Sequence, residues 1–129
     1  MRAIIVFFSL CLAASAFAGP KEVPRGSDLR NYLFELARAP VAEVAGQPVK
    51  FAGPLKQMDG WAFFNGTIVD ASGNKILVGD AESADTVVLW KLSNGEWDLV
   101  AFATGITDVA WEPWPRKYGA PMALLFPEG

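Results

Sequence analysis

The segment around Asn94-Gly95 limits the fold more than any other part of this sequence. Two largely apolar runs, 86–92 and 96–104, lie on either side of Ser93-Asn94-Gly95. Asn-Gly is the pair preferred in a two-residue type I′ turn, so the sequence predicts a β-hairpin here. The opposite charges of Lys91 and Asp98 support the register that this turn imposes. The predicted cross-strand pairs are Ser93–Glu96, Leu92–Trp97, Lys91–Asp98, Trp90–Leu99 and Val88–Ala101.

Both faces of the predicted hairpin are apolar at its centre. A strand pair of this kind is expected in the interior of a sheet, with a layer packed on each side. We expect a helix on one side, whereas the C-terminal tail, a second chain or a ligand are the alternatives for the other. The first face carries Val88, Trp90, Leu92, Trp97 and Leu99, and the second carries Val87, Leu89, Val100 and Phe102.

An amphipathic helix is predicted to precede the strands. Ser27 is a typical N-cap residue, and the negative charge of Asp28 suits the first turn of a helix. Pro40 is predicted to end this helix, because proline lacks the backbone donor. Residues 19–26 have no apolar periodicity and are predicted to form a flexible arm. The expected buried stripe is Leu29, Tyr32, Leu33, Leu36 and Ala37, with Arg30 and Glu35 on the outer side.

Weaker strand signals fill the middle of the chain. A bent first strand is predicted around a break at Gly53-Pro54, and a second strand is predicted from Trp61 to Val69, interrupted by a bulge or turn at Asn65-Gly66. Residues 70–74 predict a turn, 75–78 a short strand and 79–84 a loop. The expected fold class is α+β, with one N-terminal helix packed on a bent antiparallel sheet of about four to five strands.

Residues 1–18 have the three-part layout of a secretory signal peptide. Arg2 supplies the positive start, an apolar run follows, and Ala16-Phe17-Ala18 places small residues before a cleavage site ahead of Gly19. The apolar run is too short to span the roughly 30 Å hydrocarbon core of a bilayer. We therefore expect a periplasmic or secreted protein without a membrane anchor, whose single domain comprises residues 19–129.

Catalytic and metal-binding chemistry has few candidates in this sequence. Histidine is absent, and the single cysteine, Cys11, lies in the predicted leader. This composition excludes His-based triads, thiolate nucleophiles and most zinc, iron and copper sites. The 11 basic and 14 acidic residues give a net charge of −3, which disfavours nucleic acid as a partner. The sequence predicts no cofactor, no metal and no enzymatic activity.

The C-terminal tail, residues 105–129, holds the densest mixture of aromatic and charged side chains. Trp111, Trp114, Arg116 and Tyr118 lie within eight positions of one another. Trp, Tyr and Arg dominate the energetics of protein interfaces, so these four residues are the candidate partner-binding site. The alternative is that the tail folds back and its rings cover the second face of the hairpin. The two interpretations are compatible if only one ring is buried.

Several short motifs resemble a pattern found in small secreted bacterial proteins of unassigned function. They are Trp61-Ala62-Phe63, Gly95-Glu96-Trp97, the segment Gly-Ile-Thr-Asp-Val-Ala-Trp at 105–111, and Tyr-Gly-Ala-Pro at 118–121. A long N-terminal helix followed by an antiparallel sheet is also similar to the layout of cystatin-like and NTF2-like folds. The resemblance implies a secreted α+β domain and brings no catalytic or ligand-binding residues with it.

The sequence leaves three classes of function to compare. The first is an exported, non-enzymatic binding protein of the inhibitor or immunity type, which recognises another exported protein or peptide through its aromatic surface. The second is a small-molecule or lipid carrier with a cavity between helix and sheet. The third, and least supported, is an enzyme that uses two carboxylates. A homodimer stays open in all three.

Overall fold

A long helix packs against one face of a six-stranded antiparallel sheet in the computed structural model, which describes residues 19–127. The strand order is β1-β3-β4-β5-β6, and β2 pairs with β4 beyond the end of β3. The α+β class and the helix-before-sheet order are therefore confirmed. The elements are β1 (Lys21–Glu22), α1 (Asp28–Ala45), β2 (Lys50–Ala52), β3 (Leu55–Met58), β4 (Trp61–Val69), β5 (Asp85–Ser93), β6 (Glu96–Thr104), α2 (Trp114–Tyr118) and α3 (Met122–Leu125).

The predicted leader, residues 1–18, lies outside the residues that the structure describes. Its assignment as a signal peptide stays a prediction. Within residues 19–127, no helix combines the length and the apolar character that crossing a bilayer requires.

Helix α1 begins where the sequence predicts and continues past its predicted end. The Ser27 side chain accepts a hydrogen bond from the backbone N–H of Arg30 and caps the N-terminus. Pro40 lies inside the helix, which ends at Gly46 in the left-handed conformation that favours glycine. The predicted end at Pro40 is wrong. Val41 is fully buried, and this burial holds the turn that follows the proline.

Replacing Pro40 with alanine is expected to stabilise the protein. A proline in a helix interior costs about 3 kcal/mol relative to alanine. Its removal also gives the unfolded chain more conformational entropy, which lowers the stability by up to about 1 kcal/mol. The free energy of unfolding should therefore rise by about 2 kcal/mol, as measured by urea denaturation. The exposed neighbour Ala39 changed to serine serves as the control and should have little effect. A loss of stability in Pro40→Ala would contradict this account of the helix.

The layer between α1 and the sheet is filled by aromatic and aliphatic side chains. The Phe34 ring stacks on Phe51 with 4.6 Å between the ring centroids, and meets Phe64 and Trp90 edge-on. Trp90 is fully buried, and its indole Nε1–H donates to the carbonyl of Leu33 at 2.9 Å. This bond fixes the helix to the interior strand β5 and satisfies the one polar atom of the buried indole.

The predicted orientation of α1 is wrong at two residues, Arg30 and Tyr32. Arg30 was expected on the outer side, yet only 8% of it is exposed. Its Nη2 donates to the carbonyl of Gly53 at 2.9 Å, and its guanidinium lies 4.8 Å from the centre of the Phe34 ring. Burial lowers the pKa of Arg30, and the nearby charge of Arg25 lowers it further. Conversely Tyr32, expected in the buried stripe, is 49% exposed.

The hairpin register is confirmed near the turn and wrong beyond it. The four pairs from Ser93–Glu96 to Trp90–Leu99 form as predicted. A β-bulge then shifts the strands, so Ala101 pairs with Leu89 rather than with Val88. Because each one-residue shift moves side chains to the opposite face, Phe102 packs on the α1 side instead of the predicted second face. Strand β5 is interior, whereas β6 forms an edge of the sheet.

The break in the first strand is confirmed at Gly53-Pro54, between β2 and β3. The predicted interruption of the second strand is wrong, because β4 runs continuously through Asn65-Gly66, which pair with β5. The predicted short strand at 75–78 forms only two isolated bridges, Val69–Lys75 and Val78–Ser83.

The N-terminal segment of the domain also differs from its prediction. Within residues 19–26, expected as a flexible arm, Lys21–Glu22 forms β1 and pairs with β3. Val23 is fully buried, and its backbone N–H donates to the carbonyl of Leu55 at 2.8 Å. The segment lacks apolar periodicity because only the Val23 side chain is buried. Backbone hydrogen bonds to β3 hold the remainder of the segment.

Candidate functional site

The tail covers the second face of the sheet. Rings and aliphatic side chains of β4 and β5 meet those of the tail in a second apolar cluster, separate from the α1 layer. The alternatives for this face were the tail, a second chain or a ligand. The structure shows that the tail covers the face of β4 and β5. The buried members of this cluster are Trp61, Phe63, Val87, Leu89, Trp114, Ala120, Leu124 and Leu125.

Prolines and one glycine shape the tail into two short helices. Pro113 precedes α2 and Pro115 lies in its first turn, where a missing backbone donor costs nothing. Gly119 ends α2 in the left-handed conformation, and its N–H donates to the carbonyl of Pro115 at 2.9 Å. Pro121 then precedes α3. These breaks fold the tail into a layer on the sheet instead of a single helix.

The four predicted site residues have different environments. Trp114 is only 7% exposed and meets the Phe63 ring edge-on, so it belongs to the cover and not to an exposed surface. Trp111 and Tyr118 are half-buried, and Arg116 is exposed. The expectation that the tail folds back is thus correct for Trp114. A partner could reach only the other three.

Trp111 lies at the boundary between the covered face and the solvent. Its ring stacks on Phe126 with 6.4 Å between centroids and lies 6.1 Å from the centre of Phe63. Its Nε1 atom is buried without a hydrogen-bond partner among residues 19–127. An unpartnered indole N–H is a donor that has lost its contact with water.

A groove between α2 and α3 contains the exposed residue of the predicted set, and we name it the Arg116 groove. Its volume is about 280 Å³. Met122 lies on one side and is 59% exposed. Met122 and Phe126 are not among the predicted site residues, although their spacing of four after Pro121 is a helical signal. The groove is lined by Glu112, Pro115, Arg116, Met122 and Phe126.

A second groove, the Lys56 groove, lies between α3 and strands β3 and β4. Its volume is about 190 Å³. Lys56 and Phe63 are cross-strand partners, so both side chains project from the second face of the sheet. Within this groove Phe63 is 5% exposed, whereas Asn65 is exposed. The groove is lined by Pro54, Lys56, Phe63, Asn65, Leu124, Leu125 and Pro127.

Neither basic side chain of the two grooves forms an ion pair with a described neighbour. The ion pair found within residues 19–127 joins Arg38 and Glu35 on α1, and it involves neither Lys56 nor Arg116. Acidic side chains are dispersed, and across the same residues no three of them come together where they could hold a metal ion. The Asp70 carboxylate instead accepts backbone N–H bonds from Ser72 and Asn74 within its own turn.

Comparisons with known proteins do not assign the chain to a family. No protein-family model, no curated protein and no solved structure matches it. The resemblance to small secreted bacterial proteins, and the cystatin-like or NTF2-like layout, therefore stay predictions.

Proposed function

We propose that this protein is an exported, non-enzymatic binding protein that recognises another protein or peptide through the surface of its tail. The observation that carries the proposal is the Arg116 groove. Its apolar residues Met122 and Phe126 are flanked by Arg116 and Glu112, which are both exposed. An apolar centre with a charged rim, rich in aromatic residues, Met and Arg, is the composition of protein interfaces. Export depends on the predicted leader, residues 1–18.

Packing between helix and sheet favours this proposal over a carrier. A carrier of the predicted kind needs a cavity where the Phe34, Phe64 and Trp90 rings are in contact. The two grooves beside α3 are also smaller than the roughly 300–1,000 Å³ of typical small-molecule sites. Single side chains of a partner suit grooves of this size. An inhibitor or immunity-type protein would use them in that way.

Site-specific photocrosslinking in the native cell envelope tests the proposal. A benzoylphenylalanine in place of Met122 should capture one defined partner. The same group at Leu77, which is 57% exposed against 59% for Met122, is the matched control and should not capture it. Both positions are apolar and equally accessible, so a difference between them reports the groove and not general stickiness.

The charge of the groove gives a second arm of the experiment. Arg116→Glu should reduce crosslinking from position 122, because Arg116 lines the same groove, while Lys75→Glu changes the net charge equally at a distant loop and should not. Identical adduct patterns from positions 122 and 77 would refute the proposed function. So would an adduct at 122 that Arg116→Glu leaves unchanged.

A further inference from the structure

Side chains of the short helix α3 line both grooves. Met122 and Phe126 face the Arg116 groove, and Leu124 and Leu125 face the Lys56 groove. We infer that the two grooves form one site for an extended, acidic peptide segment that crosses α3 and places one apolar side chain in each groove. This inference rests on the proposed function and specifies the chemistry of its partner.

The width of α3 determines the spacing of the two apolar side chains. A helix with its side chains is about 10–12 Å across. An extended chain rises about 3.3 Å per residue, and side chains separated by an even number of residues lie on the same side. Residues i and i+4 are then about 13 Å apart on one side of the peptide. That spacing spans α3, whereas a spacing of two residues is too short.

Charge complementarity determines the residues that flank those anchors. Each groove has one basic side chain, Lys56 or Arg116, and Lys117 beside Arg116 is exposed as well. Glu112 is the one acidic residue in the two linings, so positive charge predominates. Acidic side chains at i−2 and i+6 would lie on the same side of the peptide as the anchors, next to the two cations. A small residue at i+2 would pass over α3.

A designed peptide tests the inference with the whole exported protein. The probe is Glu-Gly-Phe-Gly-Ala-Gly-Phe-Gly-Glu with blocked ends, titrated into isotopically labelled protein and followed by amide chemical shifts in NMR. One control peptide carries Lys in place of both Glu, and the other, Glu-Gly-Phe-Gly-Phe-Gly-Glu, has the shorter spacing. We expect saturable shifts at Lys56 and Asn65 together with Arg116 and Met122, with the probe alone. Lys56→Glu and Arg116→Glu should each weaken binding about fivefold or more, and Lys75→Glu should not.

The outcomes distinguish this inference from the proposed function. Shifts confined to the Arg116 groove would overturn the two-groove site and leave the proposed function standing. Equal affinity for the Lys-containing peptide, or no shift with the probe, would overturn the acidic two-anchor partner. The proposed function itself fails only through the crosslinking result at position 122, which requires no assumption about the peptide.

Discussion

Replacing Trp114 with alanine is expected to destabilise the protein by about 3–5 kcal/mol, the usual cost of removing a buried large aromatic side chain. Trp114 is 7% exposed and packs edge-on against Phe63 and Tyr118. Its removal leaves a void between the tail and β4 that the short helices, bounded by prolines, cannot close. Urea denaturation followed by far-ultraviolet circular dichroism measures the change.

The control for this variant is Arg116→Ala, two residues further along α2. Arg116 is exposed, so its loss should change the free energy of unfolding by no more than about 0.5 kcal/mol. Trp114→Phe should fall between the two, since a smaller ring keeps part of the contact. A cost below about 1 kcal/mol for Trp114→Ala would mean that the ring lies on an exposed platform and that the tail is not a cover.

Elements with a strong local signal could be predicted from the sequence. The Ser27 side chain caps α1, and the turn at Asn94-Gly95 pairs Ser93 with Glu96. Both features depend on residues within a few positions of each other. The break at Gly53-Pro54 belongs to the same group, because proline removes a backbone donor wherever it occurs.

Features that depend on distant contacts could not be predicted. The sequence around Arg30 predicts an outward-facing charge, because its hydrogen-bond acceptor, the carbonyl of Gly53, comes 23 residues later. Pro40 predicts a helix end, but the burial of Val41 stabilises the helical turn that follows it. The bulge beside Leu89 has no signal either, since β6 is apolar on both faces and either register buries apolar side chains.

Composition indicates where the candidate site lies, but packing determines which of its side chains are exposed. Trp111 and Trp114 are three residues apart with Pro113 between them, and the sequence does not determine which ring faces the sheet. The structure buries Trp114 and leaves Trp111 half-buried against Phe126. The Lys56 groove gave no sequence signal, because Lys56 and Leu124 come from elements 68 positions apart that only the tertiary fold brings together.

Gly66→Ala is expected to destabilise the protein by about 3 kcal/mol, the upper end of the usual cost of overpacking. At Gly66 the continuous strand β4 passes the break between β2 and β3. An added Cβ would overlap the carbonyl oxygen of Ala52 and lie 2.7 Å from Cζ of Phe64, which is fully buried. Neither the backbone of β2 nor a ring held in the α1 layer can move away without loss of packing.

Gly79→Ala separates this crowding from the ordinary cost of replacing glycine. Gly79 has a φ of +79° and nothing within 4 Å of an added Cβ, so alanine there should cost about 1 kcal/mol through backbone strain alone. Gly66 carries no such strain, and its whole effect should come from the close approach of β2 to β4. If chemical denaturation gave Gly66→Ala the smaller loss of the two, the packing at the strand break would be wrong.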